Sequence, residues 1–215
     1  MSTPVPKLHY YNMGGRAAPA RLAFLVGGVE FEDIRYADGD AIDAAMKENP
    51  ALFPCETVPV LQVGDVVVSQ SRDIAYYAAR VAKILPEDPI KMLDVDEAFT
   101  TVDELTNTIV ATMGGDEDKL EAVRAEWMEK KGKPILARLT AIFERGSKEG
   151  PFLHGAAPSI ADFVLTATVG FFASGMISHV PQDFITTTSP RLGAVAAAVM
   201  AHPPIAAYMQ KYPTL

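Results

Sequence analysis

The feature that most limits how this chain can fold is a change of period. Up to residue 82, short apolar runs alternate with short helical patterns. Beyond the segment KILPEDP at 83–89 every pattern is helical. That segment holds two prolines and two acidic residues and reads as a linker. Before it, 7–11 (KLHYY) reads as a strand. Residues 17–26 read as a helix with Leu22, Leu25 and Val26 on one face, stopped by Gly27-Gly28. A second strand follows at 30–36 and a short helix at 40–49, ended by Pro50. Residues 58–63 form a third strand, Gly64-Asp65 a turn, and 66–69 a fourth strand. Residues 71–82 close the series as a helix with Ile74, Tyr77, Ala78 and Val81 on one face.

The order is βαβαββα. A crossover helix between the first two strands favours parallel, right-handed pairing. The tight Gly64-Asp65 turn favours an antiparallel hairpin. A small mixed sheet covered by helices is expected for 1–82, then a linker at 83–89. An all-helical domain is expected over 90–215, with helices at 90–113, 116–131, 134–145, 159–173, 190–201 and 203–212. The glycines at 114–115, 132, 146 and 150 punctuate them.

Composition narrows the function. The 215 residues carry 19 basic and 27 acidic side chains, a formal charge of −8, which disfavours unspecific nucleic-acid or anionic-membrane partners. The single cysteine, Cys55, excludes an internal disulfide framework, a cysteine zinc cluster and a dithiol redox pair. His9, His154, His179 and His202 lack metal-ligand spacing, so no metal is expected. The N-terminus has no charged-then-apolar leader pattern, and a cytoplasmic setting is the simplest reading.

Three segments carry a resemblance: LHYYNMGGRAAPARLAF (8–24), TVPVLQVGDVVVSQSRDIAYYAAR (57–80) and SIADF (159–163). In this order and spacing the chain resembles the cytosolic glutathione S-transferases, most closely the sigma class among those that use a tyrosine. The resemblance covers essentially the whole chain. It implies a thioredoxin-like N-terminal domain that binds glutathione and a helical C-terminal domain that contributes an electrophile pocket. It also implies a homodimer whose co-substrate is glutathione and whose second substrates are small hydrophobic electrophiles, a detoxifying activity.

The chemistry asked of such a site is definite. A free thiol has a pKa of about 8.5, so little of it is thiolate at neutral pH. Lowering that by about two units takes roughly 2.7 kcal/mol. One hydrogen bond to a charged group supplies about 1.5–3 kcal/mol. A phenol keeps its proton at pH 7 and suits the role. From pattern alone Tyr10 and Tyr11 also read as half-buried strand aromatics. The resemblance assigns the catalytic hydroxyl to Tyr10 and turns Tyr11 to the other face of the strand. It sets Arg16 beside the thiolate as a favourable cation, where the sequence alone reads equally as a solvated arginine. Gly14 stands where some relatives carry a bulkier residue.

For glutathione itself, the resemblance implies a cis bond at Val58-Pro59, with Val58 pairing the cysteinyl backbone. Gln70 and Ser71 would receive the γ-glutamyl carboxylate at a helix start, although a serine N-cap is common without any function. An acid from the partner subunit would accept the γ-glutamyl amine. Glu104 is the better candidate and Asp103 the alternative, and both also read as acids on a solvated helix face. Lys47 is the nearest cation for the glycyl carboxylate, since the only tryptophan, Trp127, lies in the helical part. The electrophile pocket would draw on Met13, Gly14, Thr108, Thr112 and Tyr212 or Leu215. Ser159 and Asp162 form a capping-box pattern worth about 0.5–2 kcal/mol of stability. Cys55 reads as a bystander thiol.

Two other activities fit parts of the pattern. One is a glutathione-dependent isomerase of the prostaglandin-synthase kind. The other is a binding or crystallin-like protein that keeps the fold without the rate.

Overall fold

The computed structural model describes residues 4–146 and 149–213. The chain divides into two compact units. One takes in the chain up to Ile84 together with the segment from His202 onward, and the other runs Leu85–Ala201.

In the first unit, strands β1 (Lys7–Tyr11), β2 (Glu32–Tyr36), β3 (Val60–Val63) and β4 (Val66–Ser69) form one sheet in the order β2-β1-β3-β4. β1 and β2 are parallel; β1 with β3, and β3 with β4, are antiparallel. The crossover rule and the Gly64-Asp65 turn lead to this arrangement. Helices α1 (Ala18–Val26), α2 (Gly39–Glu48) and α3 (Ser71–Val81) complete the βαβαββα order.

α1 and α3 pack side by side, with Leu22, Ala23, Phe24, Ile74, Ala78 and Ala79 buried. Gly27 ends α1, and a Cβ placed there would sit 2.4 Å from the Ala82 Cβ just past α3. The helix stop foreseen at Gly27-Gly28 therefore also permits the close approach of two helices.

The second unit is helical among its described residues. It contains α4 (Pro89–Val110), α5 (Glu117–Trp127), α6 (Lys133–Gly146), α7 (Ile160–Ala173), the short α8 (Phe184–Thr188) and α9 (Pro190–Met200). A π-helical stretch at Met128–Gly132 joins α5 to α6. There Trp127, Phe172 and Phe184 form an aromatic cluster with centroids 5.8–6.1 Å apart. α4, α6, α7 and α9 supply the core through Val102, Leu105, Leu139, Phe143, Phe163, Leu165 and Val195.

The helical pattern of the sequence groups all of 90–215 together. Helix α10 (Pro203–Lys211) instead packs on α1 of the first unit. Ile205 of α10 is fully buried, and Tyr208 donates its hydroxyl to Asp33 of β2, a bond no helical pattern announces. Among the described residues no single helix is long and apolar enough to cross a membrane.

Candidate functional site

Sheet register gathers three of the expected positions at one end of the sheet. β3 pairs with β1 only as far as His9 opposite Val60, and with β4 as far as Val60 opposite Ser69. Extending both registers by one residue sets Tyr10, Pro59 and Gln70 in a row. The Val58–Pro59 peptide is cis. Pro59 is buried and Val58 half-buried, and both precede the paired part of β3. The Val58 carbonyl meets the Thr57 hydroxyl at 3.4 Å, while its N–H has no backbone partner among the described residues. This is an unpaired strand segment able to take an extended peptide.

Tyr10 is 8 % exposed. Its hydroxyl oxygen accepts the backbone N–H of Arg16 at 3.2 Å. Gly15 makes that contact possible. Its φ is +47°, and a Cβ there would lie 2.6 Å from the Tyr10 Oη. Only glycine meets both demands without strain. The Tyr10 oxygen is thus held as an acceptor, and among the described residues its own O–H meets no acceptor. Arg16 is exposed, and its backbone N–H is the group that meets the Tyr10 oxygen.

Tyr11 departs from expectation. It does not turn cleanly to the opposite face, because its ring meets Tyr10 edge-on with centroids 5.4 Å apart. The strand ends at Tyr11, so strict alternation relaxes there. His9 does turn away from Tyr10. It is buried against Tyr36 and Phe53, with Nδ1 3.0 Å from the Tyr36 hydroxyl. Burial, with Lys7 nearby, pushes its pKa down.

Met13 and Gly14 lie in the loop between Tyr11 and Gly15, Gly14 buried and Met13 half-buried. Sequence reasoning missed the residue that organises this loop. Arg21 on α1 is 2 % exposed and donates to the carbonyls of Tyr11, Met13 and Gly14. Its Nε donates to Asp33 at 2.9 Å, and its guanidinium stands 5.8 Å from the Tyr10 ring centre. A signal was present in the sequence: an arginine among alanines on a packed helix requires a buried acid, and Asp33 sits on the adjoining strand.

At the start of α3, Gln70 is the N-cap, and Ser71 is the first helical residue rather than the cap itself. No side chain caps this helix. Gln70 has φ +144°, a conformation that L residues rarely adopt and that clusters at functional sites. The first turn of a helix leaves N–H groups without intrahelical acceptors. Here they open beside the Tyr10–Pro59–Gln70 row, a setting suited to a carboxylate.

The remaining expected residues are placed elsewhere. Lys47 is exposed in the last turn of α2, without an ion pair or hydrogen bond among the described residues. Glu104 on α4 is paired with Arg138 of α6, and Asp103 beside it is half-buried. The Thr108 hydroxyl donates to the Leu105 carbonyl and accepts Trp127 Nε1–H at 3.2 Å. The Thr112 hydroxyl donates to the Ile109 carbonyl and accepts Arg124 Nε–H at 3.3 Å. Both threonines therefore spend their polar groups inside the helical unit. The Tyr212 ring lies 4.1 Å from the Arg35 guanidinium. Leu215 lies outside the described residues. Cys55 is exposed and free. Among the described residues no cluster of metal-ligating side chains occurs.

Comparison with known proteins identifies the family. The family model for the glutathione S-transferase N-terminal domain matches residues 6–80, and that for the C-terminal domain matches 103–212. The chain is similar to glutathione S-transferase 3 of Caenorhabditis elegans, at 30% identity over 82% of this chain and 84% of that protein. It is similar to the hematopoietic prostaglandin D synthase of Gallus gallus, at 28% identity over 98% of each chain. Among solved structures, the sigma class transferase of Fasciola hepatica shares the fold with a TM-score of 0.80, covering 97% of this chain and 96% of that one at 22% identity. With both halves matched in order and the thioredoxin-like sheet followed by helices, this chain is an enzyme of the glutathione S-transferase family.

Proposed function

We propose that this enzyme stabilises the glutathione thiolate with the Tyr10 hydroxyl and conjugates it to small hydrophobic electrophiles, as a cytoplasmic detoxifying transferase. The observation that carries the reading is the Tyr10 hydroxyl, fixed by the Arg16 N–H and left with its own proton to donate. A thiolate placed there accepts that proton in a hydrogen bond, while the Arg16 N–H polarises the phenol and strengthens it as a donor. Val58 binds the cysteinyl backbone in the manner of an added strand. Gln70, Ser71 and the α3 N-terminus take the γ-glutamyl carboxylate. Lys47 is the candidate for the glycyl carboxylate. Arg16 contributes a cation near the thiolate. Met13, Gly14, Thr108, Thr112 and Tyr212 are the candidate lining of the electrophile pocket.

The working assembly is a homodimer. Glu104 holds Arg138 through Oε2, which leaves Oε1 to accept the γ-glutamyl amine across the interface.

The test is glutathione conjugation to a chromogenic aryl halide by the parent and by Tyr10→Phe, across pH, with glutathione binding measured alongside. Loss of turnover of about 10–100-fold, an upward shift of the pH–rate midpoint and retained glutathione affinity are expected. An unchanged midpoint would remove Tyr10 from the mechanism. The same thiolate also serves an isomerase, a reading favoured by the similarity to the avian prostaglandin D synthase. Turnover of a prostaglandin endoperoxide without conjugation of aryl halides or alkenals would select it. Glutathione binding with neither activity would select a binding, crystallin-like role.

A further inference from the structure

The loop that presents Tyr10 is not self-supporting. Between Tyr11 and Gly15 its carbonyls project toward α1, and Arg21 takes three of them: Tyr11, Met13 and Gly14. A buried guanidinium needs a counter-charge. Asp33 supplies it through Oδ1, 2.9 Å from Arg21 Nε. The other carboxylate oxygen, Oδ2, accepts Arg35 Nε–H at 2.7 Å and the Tyr208 hydroxyl. Arg35 also donates to the Tyr208 oxygen. All three charged groups are nearly closed to water: side-chain exposure is 2% for Arg21, 6% for Arg35 and 10% for Asp33.

A continuous path therefore runs from α10 to the catalytic hydroxyl. Tyr208 fixes Asp33, Asp33 fixes Arg21, and Arg21 fixes the loop carbonyls. The loop in turn sets Gly15 and the Arg16 N–H against the Tyr10 Oη. Removing any member leaves a buried donor or acceptor short of a partner in a low-dielectric setting, where each bond depends on its neighbours.

The geometry points to Tyr208 and Asp33 as positioning residues for catalysis, which act on the Tyr10 hydroxyl through Arg21. The C-terminal helix α10 thereby becomes a working part of the thiolate site. The inference rests on the Tyr10 reading for its catalytic consequence, but not for its structural one. Tyr208→Phe is the decisive variant, because it keeps the ring and its packing on Tyr212 and Arg35 and removes only the hydroxyl. Asp33→Asn is the second, keeping shape and removing charge.

Two readouts separate the relay from the Tyr10 assignment. The first is the Tyr10 ring resonance in protein carrying 13C-labelled tyrosine, recorded without glutathione and assigned by its loss in Tyr10→Phe. The relay predicts that this resonance moves or broadens in Tyr208→Phe, and more in Asp33→Asn. The second is the pH midpoint of thiolate formation in bound glutathione, followed by ultraviolet absorbance. It should rise by about 0.4–1.5 pH units in Tyr208→Phe, the range reached by couplings through packed networks, with a matching fall in kcat and a KM for glutathione within about twofold.

A Tyr208→Phe protein that melts earlier but keeps the Tyr10 resonance in place overturns the relay, whatever its activity. A moved resonance with an unmoved thiol midpoint overturns the positioning role in catalysis, while the Tyr10→Phe midpoint judges Tyr10 as the thiolate's donor. If Asp33→Asn does not fold, Tyr208→Phe alone decides.

Discussion

Two helices of this enzyme begin with similar letters and different physics. α3 opens on SRD and α7 on SIAD. At α7 the chain satisfies itself. Asp162, fully buried, accepts the Ser159 N–H at 2.7 Å, the Ser159 hydroxyl at 2.8 Å and the Leu153 N–H at 2.8 Å. The capping box is complete, and the third bond ties a preceding loop to the same carboxylate. At α3 no side chain caps the helix, and its N-cap residue Gln70 is held at φ +144°. A start that is closed by its own carboxylate builds the fold. A start left open and strained is the one for which we propose a ligand's carboxylate as the missing partner.

The comparison can be broken most forcefully at α7. Asp162→Ala strands two N–H groups and a hydroxyl in the core. It should lower unfolding stability by on the order of 3–5 kcal/mol, more than an ordinary cap, because Leu153 is lost as well. Chemical denaturation measures this. A loss under about 1 kcal/mol would mean that the third bond counts for nothing.

At α3 the expectation inverts. Ser71→Ala should leave stability within about 0.5 kcal/mol of the parent, as at an ordinary surface position, while glutathione affinity falls about 10–100-fold by titration calorimetry. Equal affinity in the two proteins would close the α3 site as a carboxylate receptor.

A smaller effect should come from Gln70→Gly. Relief of the positive φ outweighs the entropy of glycine, so stability should rise by about 1 kcal/mol while glutathione binds more weakly. A drop in melting temperature would show that the Gln70 conformation is not strained.

The smallest effect extends the contrast to two buried carboxylates. Burial pushes the Asp162 pKa up. Burial also pushes at Asp33, but Arg21 and the hydrogen bonds from Tyr208, Arg35 and Arg21 outweigh it, and its pKa is lowered. A lowered carboxyl pKa contributes stability that is fully present above the unfolded value near 4. That stability is lost as pH falls below it. As pH falls through and below that value, Asp33 should account for a share of the lost stability. It is read as a shallower acid limb in Asp33→Asn than in the parent. Identical limbs would mean that Asp33 is not held ionised by its partners.

What was legible in the sequence was local or came from the order of elements. Period and punctuation located all four strands and the longer helices to within a few residues, because burial of one face imposes spacing 2 or 3.6 whatever the partner. The parallel first pair and the antiparallel hairpin followed from connection length. Short elements escaped: α8 has five residues and the π-helical stretch at Met128–Gly132 has no periodic signature. At the site, Tyr10, Pro59, Gln70 and Ser71 were marked by a family pattern, yet nothing in the pattern shows that two sheet registers bring Tyr10, Pro59 and Gln70 abreast. Thr108 and Thr112 look like pocket hydroxyls on a helix. Only packing reveals that Trp127 and Arg124 take them.

The sequence by itself determined the class of fold, the order of its elements and the exclusion of dithiol chemistry by a lone cysteine. Tertiary structure alone decided that Gly15 must lack a Cβ for the Arg16 N–H to reach Tyr10, that Arg21 and Asp33 brace that loop, and that α10 belongs with the first unit. The physical reason is range. Periodicity and turn chemistry act between neighbours in the chain. Burying a guanidinium demands a carboxylate from wherever the fold can bring one, here 12 residues along, and that carboxylate takes a hydroxyl 175 residues beyond itself.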